Sequence, residues 1–278
     1  MRPLLILVML AAGAVRAQPV VLDADGPTTL DALHAAVARV DVVFLGEAHD
    51  DSTAHAVELA VLRAALELDR PVVLALEMAE TDVQPVLDEY LTGLIRERDW
   101  LAAGRPWTNY EADYRPLVEL ARERGIPVVA SNAPGRYVSL VSRSGDLAVL
   151  DSLSAAARAW LPPTVDPPSE ALAAKFADLM GGMPHGAGPT VEGMLAAQNL
   201  RDATMAWRIA EALRAHPGAL VVHVNGSFHS EGRLGIPEHL ARRAPDARQL
   251  VVTMRRETGP DAATVGDDDI MILTPAGE

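Results

Sequence analysis

Six apolar runs punctuate the chain, and each gives way to turn or polar residues at its C-terminal end. They are "DVVFLGE" (41–47), "PVVLALEM" (71–78), "IPVVASN" (126–132), "ALVVHVNG" (219–226), "QLVVTM" (249–254) and "IMILT" (270–274). Short runs this uniformly apolar and rich in valine predict strands covered on both faces, as in a parallel sheet. Between them, apolar positions recur at helical spacing. Residues 52–69 predict a helix that Ser52 caps, behind two acids suited to a helix N-terminus. Residues 110–125 predict a second, closed by Arg122, Arg124 and Gly125, and residues 191–218 a third and longest, stopped by Pro217 and Gly218. The alternation of strand and helix predicts an α/β fold with a mostly parallel central sheet flanked by helices. The segment 133–190 breaks the rhythm with Pro162, Pro163, Pro167, Pro168 and the glycine-rich "GGMPHGAGP" (181–189). It reads as a helical insertion or cap between the third and fourth core strands.

The first 17 residues stand outside this pattern. Arg2, the apolar run Leu4 to Val15 and the small residues Ala14 and Ala17 have the layout of a signal peptide cleaved before Gln18. The run is short for a membrane span of ~20 residues. The expectation is an exported protein, periplasmic or secreted, with a single α/β domain over residues 18–278 and no transmembrane span in the mature chain. The chain has no cysteine, which removes disulfides, thiolate chemistry and the lipid-bearing cysteine of a lipoprotein. Net charge is −14; losing residues 1–17 removes Arg2 and Arg16 and no acid, leaving −16. Nucleic acid is excluded as an expected partner, because phosphate binding needs a basic face.

Candidate chemistry gathers where the strands end, which is where open parallel sheets bind ligands. The tips read "GEAHD", "LEMAE", "ASNAP" and "NGSFHS", and offer Glu47, His49, Glu77, Asn132, Asn225 and His229. Glu47 and His49 are two apart and can face one side of a strand end. Gly46 and Gly226 repeat a Gly-x-x-His spacing, which suggests a sharp backbone turn beneath each histidine. Glu47, His49, Glu77 and His229 are the ligand types of a divalent metal ion, and equally those of a general acid–base cluster. His55, on the helix that follows, faces either the site or solvent. His223 reads as a satisfied core residue, whereas His34, His216 and His239 read as solvated. His185 lies in the glycine-rich loop. A separate cluster, "RPWTNYEADYRPLVELA" (105–121), brings Trp107, Tyr110 and Tyr114 together. It fits either a packing cluster or an aromatic wall with a phenolate for ferric iron.

The segments "FLGEAHDDSTAH", "ALEM", "LDEYLTG", "YRPLVELARERGIPVVASNAPGRYV" and "GIPEHLARR" occur in that order. Together they resemble the ChaN-like haem-binding uptake family of the wider Tiki, TraB and erythromycin-esterase superfamily. The resemblance covers roughly residues 40–255. It implies an α/β fold and an exported protein that binds haem for iron uptake, held at a homodimer interface with tyrosine on the iron. The candidates for that role are Tyr110, Tyr114 and Tyr137, with Arg115 and Arg136 as partners for the propionates. In Tiki-like relatives the paired Gly-x-x-His motifs and a glutamate go with metal-dependent hydrolysis. Here those positions are Gly46, His49, Gly226, His229 and Glu77. Metal-dependent hydrolysis by Glu47, His49, Glu77 and His229 is therefore the alternative to haem binding.

Overall fold

The computed structural model describes residues 19–181, 188–256, 265–266 and 269–275. The expected signal peptide and His185 lie outside the described residues. All six expected strands form, as β3 (Val42–Glu47), β4 (Val72–Glu80), β5 (Val128–Asn132), β6 (Leu220–Gly226), β7 (Gln249–Arg256) and β8 (Ile270–Thr274). Two short strands precede them, β1 (Val20–Asp23) and β2 (Gly26–Thr28). The eight strands make one sheet in the order β2-β1-β8-β7-β3-β6-β4-β5. The six later strands pair in parallel, while β1 runs antiparallel to both β2 and β8. The fold is thus α/β with a mostly parallel sheet, and only the antiparallel edge was not expected.

Period-two alternation sends each strand's residues to two different cores. Val43 and Leu45 of β3, Leu74 and Leu76 of β4 and Val222 and Val224 of β6 enter a larger core on one face. That core is covered by α1 (Leu30–Val37), α2 (Ser52–Leu66) and α5 (Arg115–Arg124). Phe44, Val73, Ala75 and Val221 enter a second core on the opposite face, closed by α9 (Val191–Ala215) and α10 (Ile236–Arg243). The helix expected at residues 52–69 is capped one residue earlier than its sequence suggests. Asp51, not Ser52, is the N-cap, accepting from the amides of Thr53 at 2.9 Å and Ala54 at 3.2 Å.

Residues 110–125 divide. Tyr110–Tyr114 form a single wide π-helical turn, and α5 follows it to the left-handed cap Gly125 (φ 65°). Upstream, α3 (Gln84–Leu91) and α4 (Glu97–Ala103) complete the β4–β5 crossover. The segment after β5 holds α6 (Gly135–Ser144), α7 (Ala155–Arg158) and α8 (Glu170–Met180). Tyr137, Val138, Val141, Leu150 and Leu161 from this segment pack with Ala197 and Leu200 of α9 in a third apolar cluster. Among the described residues, no helix is long and apolar enough to cross a membrane.

Candidate functional site

In the sheet register Gly46 lies beside Asn225 and Glu47 beside Gly226, so the two Gly-x-x-His tips are neighbours, one residue out of step. The glycines are needed for room rather than for an unusual backbone. Gly226 has an extended conformation (φ −60°, ψ 138°), but a Cβ there would stand 2.8 Å from His49 Cε1 and 2.9 Å from its Nε2. A Cβ on Gly46 would meet Ser230 Oγ at 3.0 Å and the backbone of Ser227 at 3.1 Å. The expected sharp turns are therefore close approaches, with the His49 ring lying directly on Gly226.

The same alternation that builds the two cores separates the acids. Glu47 has the parity of Val43 and Leu45 and points to the α2 face, whereas Glu77 has the parity of Val73 and Ala75 and points to the α9 face. On the α2 face, Glu47 Oε1 accepts the Tyr114 hydroxyl at 2.6 Å and lies 2.9 Å from His49 Nδ1. Glu47 Oε2 lies 2.9 Å from His55 Nδ1, and the same nitrogen lies 3.1 Å from Glu58 Oε2. Burial opposes ionisation of Glu47, but hydrogen bonds from His49 and His55 override it and hold its pKa down at about 2. Burial also opposes the charged form of His55, yet Glu47 and Glu58 raise its pKa to about 11. Glu58 goes the other way, pushed well up by burial together with the charge of Glu47. His55 therefore faces the site.

On the α9 face, His229 is held between two acids. Its Nε2 lies 3.2 Å from Glu77 Oε1, and its Nδ1 makes a short contact with Asp202 Oδ1, with the Gln198 amide 2.9 Å away. Glu77 Oε2 accepts the Gly226 N–H at 2.7 Å. Burial works against charge on His229, but Glu77 and Asp202 prevail and raise its pKa to about 10. Glu77 is held at about 2, since His229 and the Gly226 amide outweigh the cost of its burial. His229 is thus an imidazolium at neutral pH with a carboxylate on each nitrogen. It neutralises Glu77 and has no lone pair to offer.

His49 spans the two faces. Its Nδ1 is on Glu47, its ring edge is on Gly226, and the Glu77 carboxylate adds to the forces raising its pKa against the effect of burial. Its side chain is 44% exposed, and Trp107 meets it edge-to-face at 4.7 Å. The structure therefore brings Glu47 together with His49, and Glu77 together with His229. His49 is the member open to a ligand, and the pair can move a proton between its exposed imidazole and a buried carboxylate. Among the described residues, the group of ligand atoms lying within 4.8 Å of one another is Glu47, His55 and Glu58.

Glu58, Asp202 and Gln198 were not singled out from the sequence. Glu58 carried a signal, since it shares the apolar stripe of α2 with Ala54, Val57, Val61, Leu62 and Ala65. A carboxylate on the buried stripe of a helix requires a partner. Asp202 similarly interrupts the buried run of α9. His223 is a satisfied core residue as expected, with Ser131 Oγ at 3.1 Å and Asn225 Oδ1 at 3.0 Å. His239 is a correction: it is buried rather than solvated, with its Nε2 2.9 Å from Asn199 Oδ1, because α10 packs on α9 there.

The tyrosine and arginine candidates are spread apart. Tyr110 packs its ring on Trp100 inside the larger core, where burial pushes its pKa up to about 12. Tyr114 is fully buried on Glu47. Tyr137 lies in the first turn of α6, 9% exposed, with the Arg136 guanidinium 4.3 Å over its ring. Arg136 pairs with Asp82, and Arg115 with Glu97.

Comparison with known proteins fits this architecture. The structure of ChaN of Campylobacter jejuni, described as showing cofacial heme binding, superposes with a TM-score of 0.69 at 16% identity, covering 93% of this chain and 97% of that one. This likeness is one of fold. An erythromycin esterase, EreC in its open conformation, gives a TM-score of 0.48 at 16% identity over 89% of this chain and 79% of that one. A curated relative, Protein RETICULATA-RELATED 5, chloroplastic, of Arabidopsis thaliana, is 25% identical over 236 residues. That match takes in 78% of this chain but only 31% of the relative's length. Residues 33–240 match the family described as "Haem-binding uptake, Tiki superfamily, ChaN", and the chain belongs to that family.

Proposed function

We propose that this protein binds haem and serves haem or iron uptake after export, in a homodimer. Membership of the haem-binding uptake family is the observation that carries this reading. Haem presents a broad apolar face and two propionates, so a fitting surface combines an apolar wall with unpaired cations. A cavity of about 560 Å³ between α6, α8 and α9 has that character. Val138, Phe176, Met194 and Ala197 line its apolar side, and Arg143 and Arg201 line its polar side. Among the described residues, neither guanidinium has a carboxylate within 4.0 Å.

Of the three tyrosines the resemblance names, Tyr137 alone fits an iron ligand beside this cavity. It lies on α6, and the neighbouring Gly135 and Val138 line the cavity. Tyr110 and Tyr114 have their rings in the core of the opposite face. Titration of hemin into the purified chain tests the reading by the Soret band. The expected result is a shifted band that Tyr137→Phe alters and Tyr110→Phe leaves in place, with Arg201→Ala weakening binding. A Soret band identical to that of free hemin overturns it.

A second reading is acid–base hydrolysis at the strand tips, favoured by the exposed His49 backed by Glu47 beside the ionised Glu77. A hydrolase screen with ester and amide substrates checks it. Activity in the native chain that His49→Ala abolishes supports it, and equal activity in both sinks it.

A further inference from the structure

The second Glu–His assembly, under α2, converges on one imidazole nitrogen. Glu47 Oε2 and Glu58 Oε2 both crowd His55 Nδ1, at 2.9 and 3.1 Å. Glu58 Oε1 has no hydrogen-bond partner. Both carboxylates are buried, Glu58 at 0% exposure. Unpartnered carboxylate oxygens in such a place are costly.

The surrounding groups fix how these three side chains point. His55 Nε2 lies 3.2 Å from the His49 carbonyl, which can only accept, so this nitrogen carries the hydrogen. Without a metal Nδ1 carries a hydrogen too, shared between the two carboxylates, and a cation that displaces this proton meets the Nδ1 lone pair with both carboxylates around it. Glu47 is oriented by the Tyr114 hydroxyl on its other oxygen, and Asp113 stands 3.7 Å from His55 Nε2. Outer partners on the far side of each ligand are how proteins hold metal-binding side chains in place. Once the protons on His55 Nδ1 and on Glu58 are released, two carboxylates and a neutral imidazole carry a charge of −2, which one divalent cation balances.

We propose that Glu47, His55 and Glu58 bind a divalent transition-metal ion. Their ligand atoms all lie within 4.8 Å of one another. Ligands about 2.1 Å from a tetrahedral ion stand roughly 3.4 Å apart, so small side-chain shifts suffice to admit one. The mixed imidazole–carboxylate set suits Zn²⁺, Mn²⁺ or Fe²⁺, rather than Mg²⁺ or Ca²⁺ with their all-oxygen shells. The ion ties the tip of β3 to α2 and fixes Glu47, the carboxylate on which His49 rests. This site is separate from the α6–α8–α9 cavity and does not depend on haem binding.

The test uses the full, hemin-free chain after chelator treatment, with Co²⁺ as the probe. The expected result is about one Co²⁺ per chain by equilibrium dialysis, with visible d–d bands. Glu58→Gln and His55→Gln, each checked for folding by circular dichroism, are expected to lower affinity at least ~100-fold. His216→Ala, at the C-terminal end of α9, is expected to bind as the native chain does. Fewer than half a Co²⁺ per native chain overturns the proposal, as does native affinity in the two folded variants. Should both variants fail to fold, the native stoichiometry and a Co²⁺-dependent rise in Tm decide it: both support the site, and the lack of either overturns it.

Discussion

Each face of the sheet holds a cluster of one buried histidine and two carboxylates, yet the two clusters satisfy their members differently. On the α9 face His229 lies between its acids, one on each ring nitrogen. One imidazolium with two N–H donors meets both. On the α2 face His55 offers a single nitrogen to both Glu47 and Glu58, because its other nitrogen is turned to a backbone carbonyl. In the first arrangement each ring nitrogen has its own acid, with Asp202 Oδ2 left over; in the second one nitrogen serves both acids, with Glu58 Oε1 left over. Residue types alone do not distinguish a structural ion cluster from a ligand site; the directions in which the nitrogens point do.

Removing the central cation of the His229 triad is expected to have the largest effect. His229→Ala leaves Glu77 and Asp202 buried without a counter-charge, which is expected to cost about 3–5 kcal/mol in a urea melt. A loss under ~1 kcal/mol would mean that His229 is not the counter-charge of these acids. The pH dependence sharpens the same point. His229 is raised from its ordinary 6.5 to about 10, so its contribution is complete below pH 6.5 and is lost as pH climbs toward 10. Glu77 is lowered from 4.5 to about 2, so its contribution is complete above pH 4.5 and is lost as pH falls toward 2. Melts across pH are expected to show both limbs, and Glu77→Gln is expected to flatten the acid one.

Gly226→Ala comes next. Its Cβ would press on the His49 ring at 2.8 Å, for an expected loss of about 1–3 kcal/mol and a displaced His49. A variant of native stability with an unmoved His49 NMR signal would contradict the close approach. The smallest effect belongs to the residue that joins the faces. His49 is half-exposed, so His49→Ala is expected to change stability by under ~1 kcal/mol by thermal melt, while removing whatever chemistry the mouth performs. A large loss would make His49 a structural member of the triads.

The strands were legible because each is an uninterrupted apolar run ended by a turn, as double coverage by helices requires. β1 and β2 were not, being four and three residues long with Asp23, Gly26 and Pro27 among them. At the site, the strand-tip rule reached Glu47, His49, Glu77 and His229, since ligand positions in parallel sheets follow strand ends. It missed Glu58 and Asp202, which come to the tips from helices. Asp202 lies on α9, 27 residues before His229 in the chain, and no local periodicity announces such a pairing. The helix predicted over residues 110–125 includes both Tyr110 and Tyr114. The π-helical turn instead turns Tyr110 to Trp100 and Tyr114 to Glu47.

The sequence by itself determined the α/β plan, the strands that bear polar tips and the family, because apolar periodicity and ordered motifs are local properties of the chain. Only the tertiary structure decided which acid serves which histidine. Adjacent residues of a strand point to opposite faces, so two carboxylates that look equivalent at neighbouring tips enter different cores. Helices brought from far along the chain then complete an ion triad around one and a convergent ligand set around the other.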